Sequence, residues 1–194
     1  YDAFLWLNDD TFLDRDSLER LVAFWLLHKQ STGRDCICVG STRKSHIDEV
    51  SYGGLRSKSR LRPLSFDIVV PSKVLVPCVT MNGNCVFIPR GVAEQVGSLD
   101  AAFRHAMGDI DYGLRATRLG IEIFVVPGYV GVCDQNSASC TYNDPRATRA
   151  VRFRDALSAK GLPLRSWLVL TRRHCGLVWP VYWLWPYLKI LLGR

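Results

Sequence analysis

Ala3-Phe4-Leu5-Trp6-Leu7-Asn8-Asp9-Asp10 sets five apolar residues directly before three polar ones. A short continuous apolar run reads as a strand buried in a parallel sheet, with the polar triplet at its carboxyl end. That edge of an α/β sheet is where such folds bind ligands. Adjacent carboxylates there repel one another unless a cation offsets them. Hard oxygen donors favour Mg2+ or Mn2+. A calcium loop does not fit, because Leu13 and Asp14 stand where its turn glycine belongs and no glutamate closes it. The remaining alternative is a turn whose aspartate caps the next helix.

Outward from this stretch the chain keeps an α/β texture. Asp16 is placed to cap a helix from Ser17 to about His28. Cys36 to Ser41 reads as a strand, Val50 to Tyr52 as a short one, and Gly53-Gly54 with Arg56 to Pro63 as a basic loop. Ile68 to Val76, with Pro71 inside it and Pro77 after it, reads as an edge strand or loop. Val79 to Met81 and Cys85 to Ile88 read as short strands around Asn82-Gly83-Asn84. That triplet is open to two readings, a hairpin turn or a loop that lets backbone and amides approach a ligand. Gly97 stops a short helix over Gly91 to Val96. A second helix starts at Gly108 or Asp109 and is closed by Gly120. Ile121 to Val126 reads as a strand ended by Pro127-Gly128.

These elements place an α/β domain over residues 1–136 and a helical extension over 137–194. The extension starts a helix at Asn143-Asp144-Pro145 that runs to about Lys160, followed by a second helix over Leu164 to His174. Leu177 to Leu192 is very apolar and rich in Trp, too short to span a bilayer and suited either to packing on the core or to a membrane interface.

The chain has 194 residues, 48% of them hydrophobic, and a formal net charge of +7. That excludes disorder and an acidic solvating protein. The positive charge is concentrated in Asp144 to Arg173, while Tyr1 to Arg20 carries six acids. An acidic pole with basic flanks suits a metal–phosphate site better than a nucleic-acid stripe, and the basic residues form no nucleic-acid motif. The seven cysteines, scattered with no CxxC pair, read as buried thiols in a reducing cytoplasm.

A second acidic cluster, Gly108-Asp109-Ile110-Asp111, opens a predicted helix. The helix dipole explains acids there. It also keeps Asp109 ionised and fit to accept a proton.

The two clusters, with Met81-Asn82-Gly83-Asn84 between them and Leu114-Arg115, Gly120 and Val125-Val126-Pro127 after them, occur in an order that resembles family 2 glycosyltransferases of the GT-A fold, in particular bacterial rhamnosyltransferase-like members. The resemblance covers about residues 1–136. It implies a Rossmann-like mixed sheet with flanking helices, and an inverting transfer of sugar from a nucleotide-diphosphate sugar to a glycan or lipid-linked acceptor. Asn8, Asp9 and Asp10 then match the DxD-like motif, with Asp10 holding Mg2+ or Mn2+. Asn82, Gly83 and Asn84 face the donor, Asp109 is the catalytic base, and Asp111 and His105 are placed toward the acceptor. The sequence departs from the pattern at Asn8, at Gly108 where a Glu is usual, and at Cys133, which stands where relatives carry a metal-ligating His. Asp134 or His174 replaces that His, or the metal relies on Asp10 and the diphosphate alone.

The same resemblance implies that strands and helices holding the nucleotide base precede Tyr1, so that the expectation is a transferase lacking its N-terminal part and binding donor weakly. It also implies a cytoplasmic enzyme, peripheral at the inner face of the plasma membrane. The alternative is a catalytically degenerate subunit that keeps the fold and binds a glycan or a partner. A nucleotidyltransferase also places acids at strand ends, but the second cluster does not support it.

Overall fold

The computed structural model describes residues 1–59, 62–134, 142–144 and 146–193. The chain divides into two compact units, one formed by residues 1–60, 65–98 and 109–135 and the other by 61–64, 99–108 and 136–194.

The first unit holds strands β1 (Ala3–Leu7), β2 (Phe12–Leu13), β3 (Ile37–Arg43), β4 (Val50–Tyr52), β5 (Gly54–Ser57), β6 (Phe66–Ile68), β7 (Val76–Cys78), β8 (Thr80–Met81), β9 (Cys85–Pro89) and β10 (Ile123–Val132). Its helices are α1 (Ser17–Thr32), α2 (Arg90–Val96) and α3 (Gly108–Arg118, grouped here from Asp109 on). Among the described residues, seven strands form one mixed sheet in the order β1-β9-β3-β10-β2, with β4 on β3 and β7 on β10; β6, β5 and β8 form a smaller sheet. Among the described strands, only β3 and β10 pair in parallel.

Alternation along the central strands sorts the core onto two faces. Ile37, Val39, Val86, Ile88 and Val125 pack with Val92 and Val96 of α2 and with Tyr112 and Ala116 of α3. Cys36, Cys38, Cys85, Phe87, Val126 and Val130 face the other way, against Leu21, Val22 and Trp25 of α1. Helices thus cover both faces of a mixed sheet, an α/β arrangement compatible with a Rossmann-like fold.

Several local expectations are corrected. β1 is not a buried parallel strand. It pairs antiparallel with β9 at the end of the strand order, and Phe4, Leu5 and Leu7 are exposed. Periodicity reports burial but not strand direction, and an edge strand has neighbours on one side only. Residues 54–57, assigned to a basic loop, form β5, because Gly54 permits close approach to β10. A Cβ at Gly54 would lie 2.3 Å from a Val125 methyl. The rest of that predicted loop includes residues 60 and 61, which lie outside the described set. Asn82-Gly83-Asn84 is not a hairpin turn, since β8 pairs with β5 whereas β9 joins the large sheet. The chain crosses between two sheets there.

The most consequential correction concerns β10, which continues past Pro127-Gly128 to Val132. Register shifts between Val125 and Tyr129 and between Tyr129 and Gly131 absorb the Pro-Gly pair as an irregularity. Beyond it, Gly131 lies opposite Leu13 of β2, where a Cβ would come 2.2 Å from the Phe12 carbonyl oxygen. Asp16 precedes α1 but makes no capping bond with its side chain, pairing with Arg20 at 3.0 Å instead. α1 runs to Thr32 and ends on Gly33, at φ 71°.

The second unit contains α4 (Arg149–Leu157), α5 (Leu164–His174), a 3-10 turn (Gly176–Val178) and α6 (Trp179–Leu191). α4 begins later than the Asn143 expectation. Thr148 is its cap, its hydroxyl accepting from the Val151 N–H, and Asp144 instead accepts from the Arg146 N–H at 2.9 Å. Pro145, the other residue of that expectation, lies outside the described residues, as does Cys140. The other six cysteines are free thiols. No helix among the described residues is long and apolar enough to cross a membrane.

Candidate functional site

The first acidic cluster follows β1 in a turn closed by the Thr11 N–H on the Asn8 carbonyl, which leaves Asn8, Asp9 and Asp10 exposed. Asp109 lies in the first turn of α3. The crossover segment Asn82-Gly83-Asn84 touches both clusters. The Asn84 carbonyl accepts from the Asn8 N–H at 3.2 Å, and the Gly83 N–H donates to Asp109 Oδ2 at 3.1 Å. Asn84 Nδ2, itself buried, donates to Cys133 Sγ at 3.3 Å, and the Cys133 thiol lies 3.5 Å from Asp10 Oδ1. A chain of contacts therefore runs Asp10–Cys133–Asn84, with the adjacent residue Gly83 on Asp109. Asn82 faces back instead, its N–H donating to the Gly53 carbonyl at 2.9 Å.

Each part of this junction has a local cause. Gly83 has no side chain because the Trp6 indole fills the space. A Cβ would sit 2.7 Å from the ring, and Trp6 in turn meets Tyr112 of α3 edge-on at 6.1 Å. α3 approaches β8 closely through Gly113, whose Cβ would lie 2.4 Å from Thr80 Oγ1. Thr80 Oγ1 donates to the Ile110 carbonyl at 2.9 Å, which fixes the turn next to Asp109. Cys133 follows directly on β10, so it is the strand's continuation past Pro127 that carries the thiol to Asp10.

Contrary to the expectation that the helix N-terminus keeps it ionised, burial pushes the Asp109 pKa above the usual carboxylate range, because desolvation outweighs the N–H groups of Ile110 and Gly83 that favour the charged form. A base of raised pKa accepts a proton more readily near neutrality. Burial also raises the Cys133 thiol, and Asp10 raises it further, while Thr11 and Asn84 work the other way. The Thr11 hydroxyl lies beside this sulfur without full hydrogen-bond geometry, since Oγ1 is buried with no partner.

The other predicted residues are placed differently. Asp111 is fully buried and paired with Arg115 at 2.9 Å; Arg115 also donates to the carbonyls of Val96 and Ser98. Arg115 therefore ties α3 to the end of α2. His105 is exposed and belongs to the second unit, as does His174. Asp134 accepts from both the N–H and the hydroxyl of Ser45, which hold its carboxyl below the ordinary value.

Among the described residues, no three His, Cys, Asp or Glu side chains gather as a metal-ligand cluster. Asp10 supplies one hard oxygen, the protonated Cys133 thiol none, and the unpartnered Thr11 hydroxyl a further neutral oxygen nearby. This set does not make an all-protein cage. One carboxylate oxygen is compatible with Mg2+ or Mn2+ only where the ion takes most of its ligands from outside the protein. A concavity of about 280 Å3 lies elsewhere, lined by residues that include Trp25, Asp35, Arg90 and Glu94. Four of the charges there pair with one another, Lys29 with Asp35 and Arg90 with Glu94.

No protein-family model matches the chain, and no curated protein matches it.

Proposed function

We propose that the chain is the catalytic part of an inverting glycosyltransferase of the GT-A type, using a nucleotide-diphosphate sugar as donor and a glycan or lipid-linked hydroxyl as acceptor. The observation that carries this reading is the junction at Asn82-Gly83-Asn84. Two acidic clusters a hundred residues apart in sequence meet on one short segment, one suited to a metal–diphosphate and the other to a proton.

In this reading the acceptor hydroxyl attacks the anomeric carbon from the face opposite the nucleotide, and Asp109 takes its proton as the bond forms. Its raised pKa suits that role. Asp10 would hold Mg2+ or Mn2+, which supplies neutralisation of charge on the leaving diphosphate. Gly83, bare of side chain, leaves its backbone beside the base while its N–H orients the Asp109 carboxylate.

The engagement of Asp10 by a thiol favours a second reading, a subunit that keeps the fold and binds a glycan without turnover. A screen of nucleotide-diphosphate sugars separates the two. The transferase releases nucleoside diphosphate from one donor with Mg2+ or Mn2+, and Asp10→Asn abolishes the stimulation by metal. A protein that binds glycan but releases no nucleotide from any donor is the degenerate subunit.

A further inference from the structure

α6 is apolar on most of its circumference, Lys189 being its one charged residue, and only one of its faces is used within its own unit. Trp183, Tyr187 and Ile190, at helical spacing, turn inward. Trp183 Nε1 donates to the Leu164 carbonyl at 3.2 Å, the Tyr187 hydroxyl donates to the Leu162 carbonyl, and Phe153 of α4 meets the Tyr187 ring edge-on. The opposite face carries Val181, Leu184, Trp185, Leu188 and Leu192, all between 43% and 64% exposed. The preceding turn adds Leu177, at 99%. A contiguous open patch of large apolar side chains marks a surface that something else covers.

The charge of this unit indicates what covers it. The second unit carries twelve Lys and Arg against three Asp, a net +9, while the first unit nets −2. The whole positive excess of the chain therefore lies on the unit that bears the apolar face. From Ala156 to the end there is no acid. Two cations lie close to α6 itself: Lys189 Nζ is 5.6 Å from the Trp185 ring centre, and the Arg149 guanidinium lies beside Gly193, just past the end of the helix. Arg172 is a further exposed cation of the same unit, in the last turn of α5. A Trp-bearing apolar helix face rimmed by Lys and Arg is what a bilayer interface with anionic headgroups selects, with rings at headgroup depth and cations at the phosphates.

We infer that the outer face of α6 docks the protein in the plane of a membrane that carries anionic lipid, without crossing it. The inference stands independently of the proposed transfer reaction, because it concerns binding alone.

Co-sedimentation of the protein with vesicles tests it. The protein is expected to pellet with phosphatidylglycerol–phosphatidylcholine vesicles and to bind pure phosphatidylcholine at least tenfold more weakly. Trp185→Glu with Leu188→Glu removes binding to both, with the far-ultraviolet circular dichroism unchanged, since both side chains are already exposed. Arg172→Glu with Lys189→Glu keeps the apolar face and weakens binding to the anionic vesicles by tenfold or more, each cation being worth about fivefold. Retention in the supernatant with both vesicle types overturns the inference. So does equal binding to both, or a wild-type dimer that Trp185→Glu with Leu188→Glu converts to monomer, which would assign the face to a second copy of the chain.

Discussion

The Gly83 N–H donates to Asp109 Oδ2 at 3.1 Å, and the space above that glycine is filled by the Trp6 indole. The residue that orients the proposed base is therefore fixed by an aromatic ring on β1, and a strand, a crossover and a helix N-terminus are coupled at one point.

Gly83→Ala places a methyl 2.7 Å from the Trp6 ring. Trp6 or the crossover must shift, at a cost of about 1–3 kcal/mol, and the N–H moves away from Asp109. The expected result is a lower urea midpoint together with a rate loss larger than the stability loss explains. An unchanged midpoint and rate would show that the crossover yields without moving Asp109.

Cys133 sits between a donor and an acceptor, Asn84 Nδ2 and Asp10 Oδ1. Cys133→Ser keeps both interactions available and is expected to be nearly neutral in stability. Cys133→Ala leaves the buried Asn84 amide without this acceptor, at about 1–3 kcal/mol. Thermal melts of the two variants check the difference.

Asp111 and Arg115 are expected to act on stability rather than on acceptor affinity. Asp111 is fully buried and its ion pair with Arg115 is one helical turn long. Arg115→Ala removes the paired guanidinium from a buried carboxylate, at about 3 kcal/mol, which lowers Tm by roughly 6–12 °C for a chain of this size. If KM for the acceptor rises instead while Tm holds, Asp111 faces substrate.

The raised Asp109 pKa fixes the sign of two pH effects. The base is protonated at a higher pH than an ordinary carboxylate, so the acid limb of the rate profile lies above the usual Asp range. For stability, a folded pKa above the unfolded one favours the protonated state. The contribution is present below the unfolded value and lost as pH rises through the folded one. Asp109→Asn is therefore expected to be at least as stable as wild type at pH 7–8, as read by thermal melts at both ends of the range.

The sequence makes the polar breaks legible: Asn8 to Asp10 after an apolar run, Asn82 to Asn84 between two others, and Asp109 at a helix start. Each is a local signal of residue type against its neighbours. Strand direction and long-range register are not local. β1 has the composition of a buried strand and lies at an edge, because composition does not record which side of a strand is paired. Pro127-Gly128 reads as a stop, yet β10 passes through it by shifting register, and only that passage brings Cys133 to Asp10 across 123 residues. β5 was hidden by its own glycine and charged residues, since its pairing depends on close approach to Val125 rather than on apolar alternation.

The most direct test of the account is the rate of sugar transfer by wild type and Asp109→Asn, measured on the donor that the nucleotide-sugar screen identifies, at saturating Mg2+ or Mn2+. The account predicts turnover by wild type and a loss of about a hundred- to ten-thousandfold in the folded Asp109→Asn protein. Transfer by Asp109→Asn at the wild-type rate would contradict it.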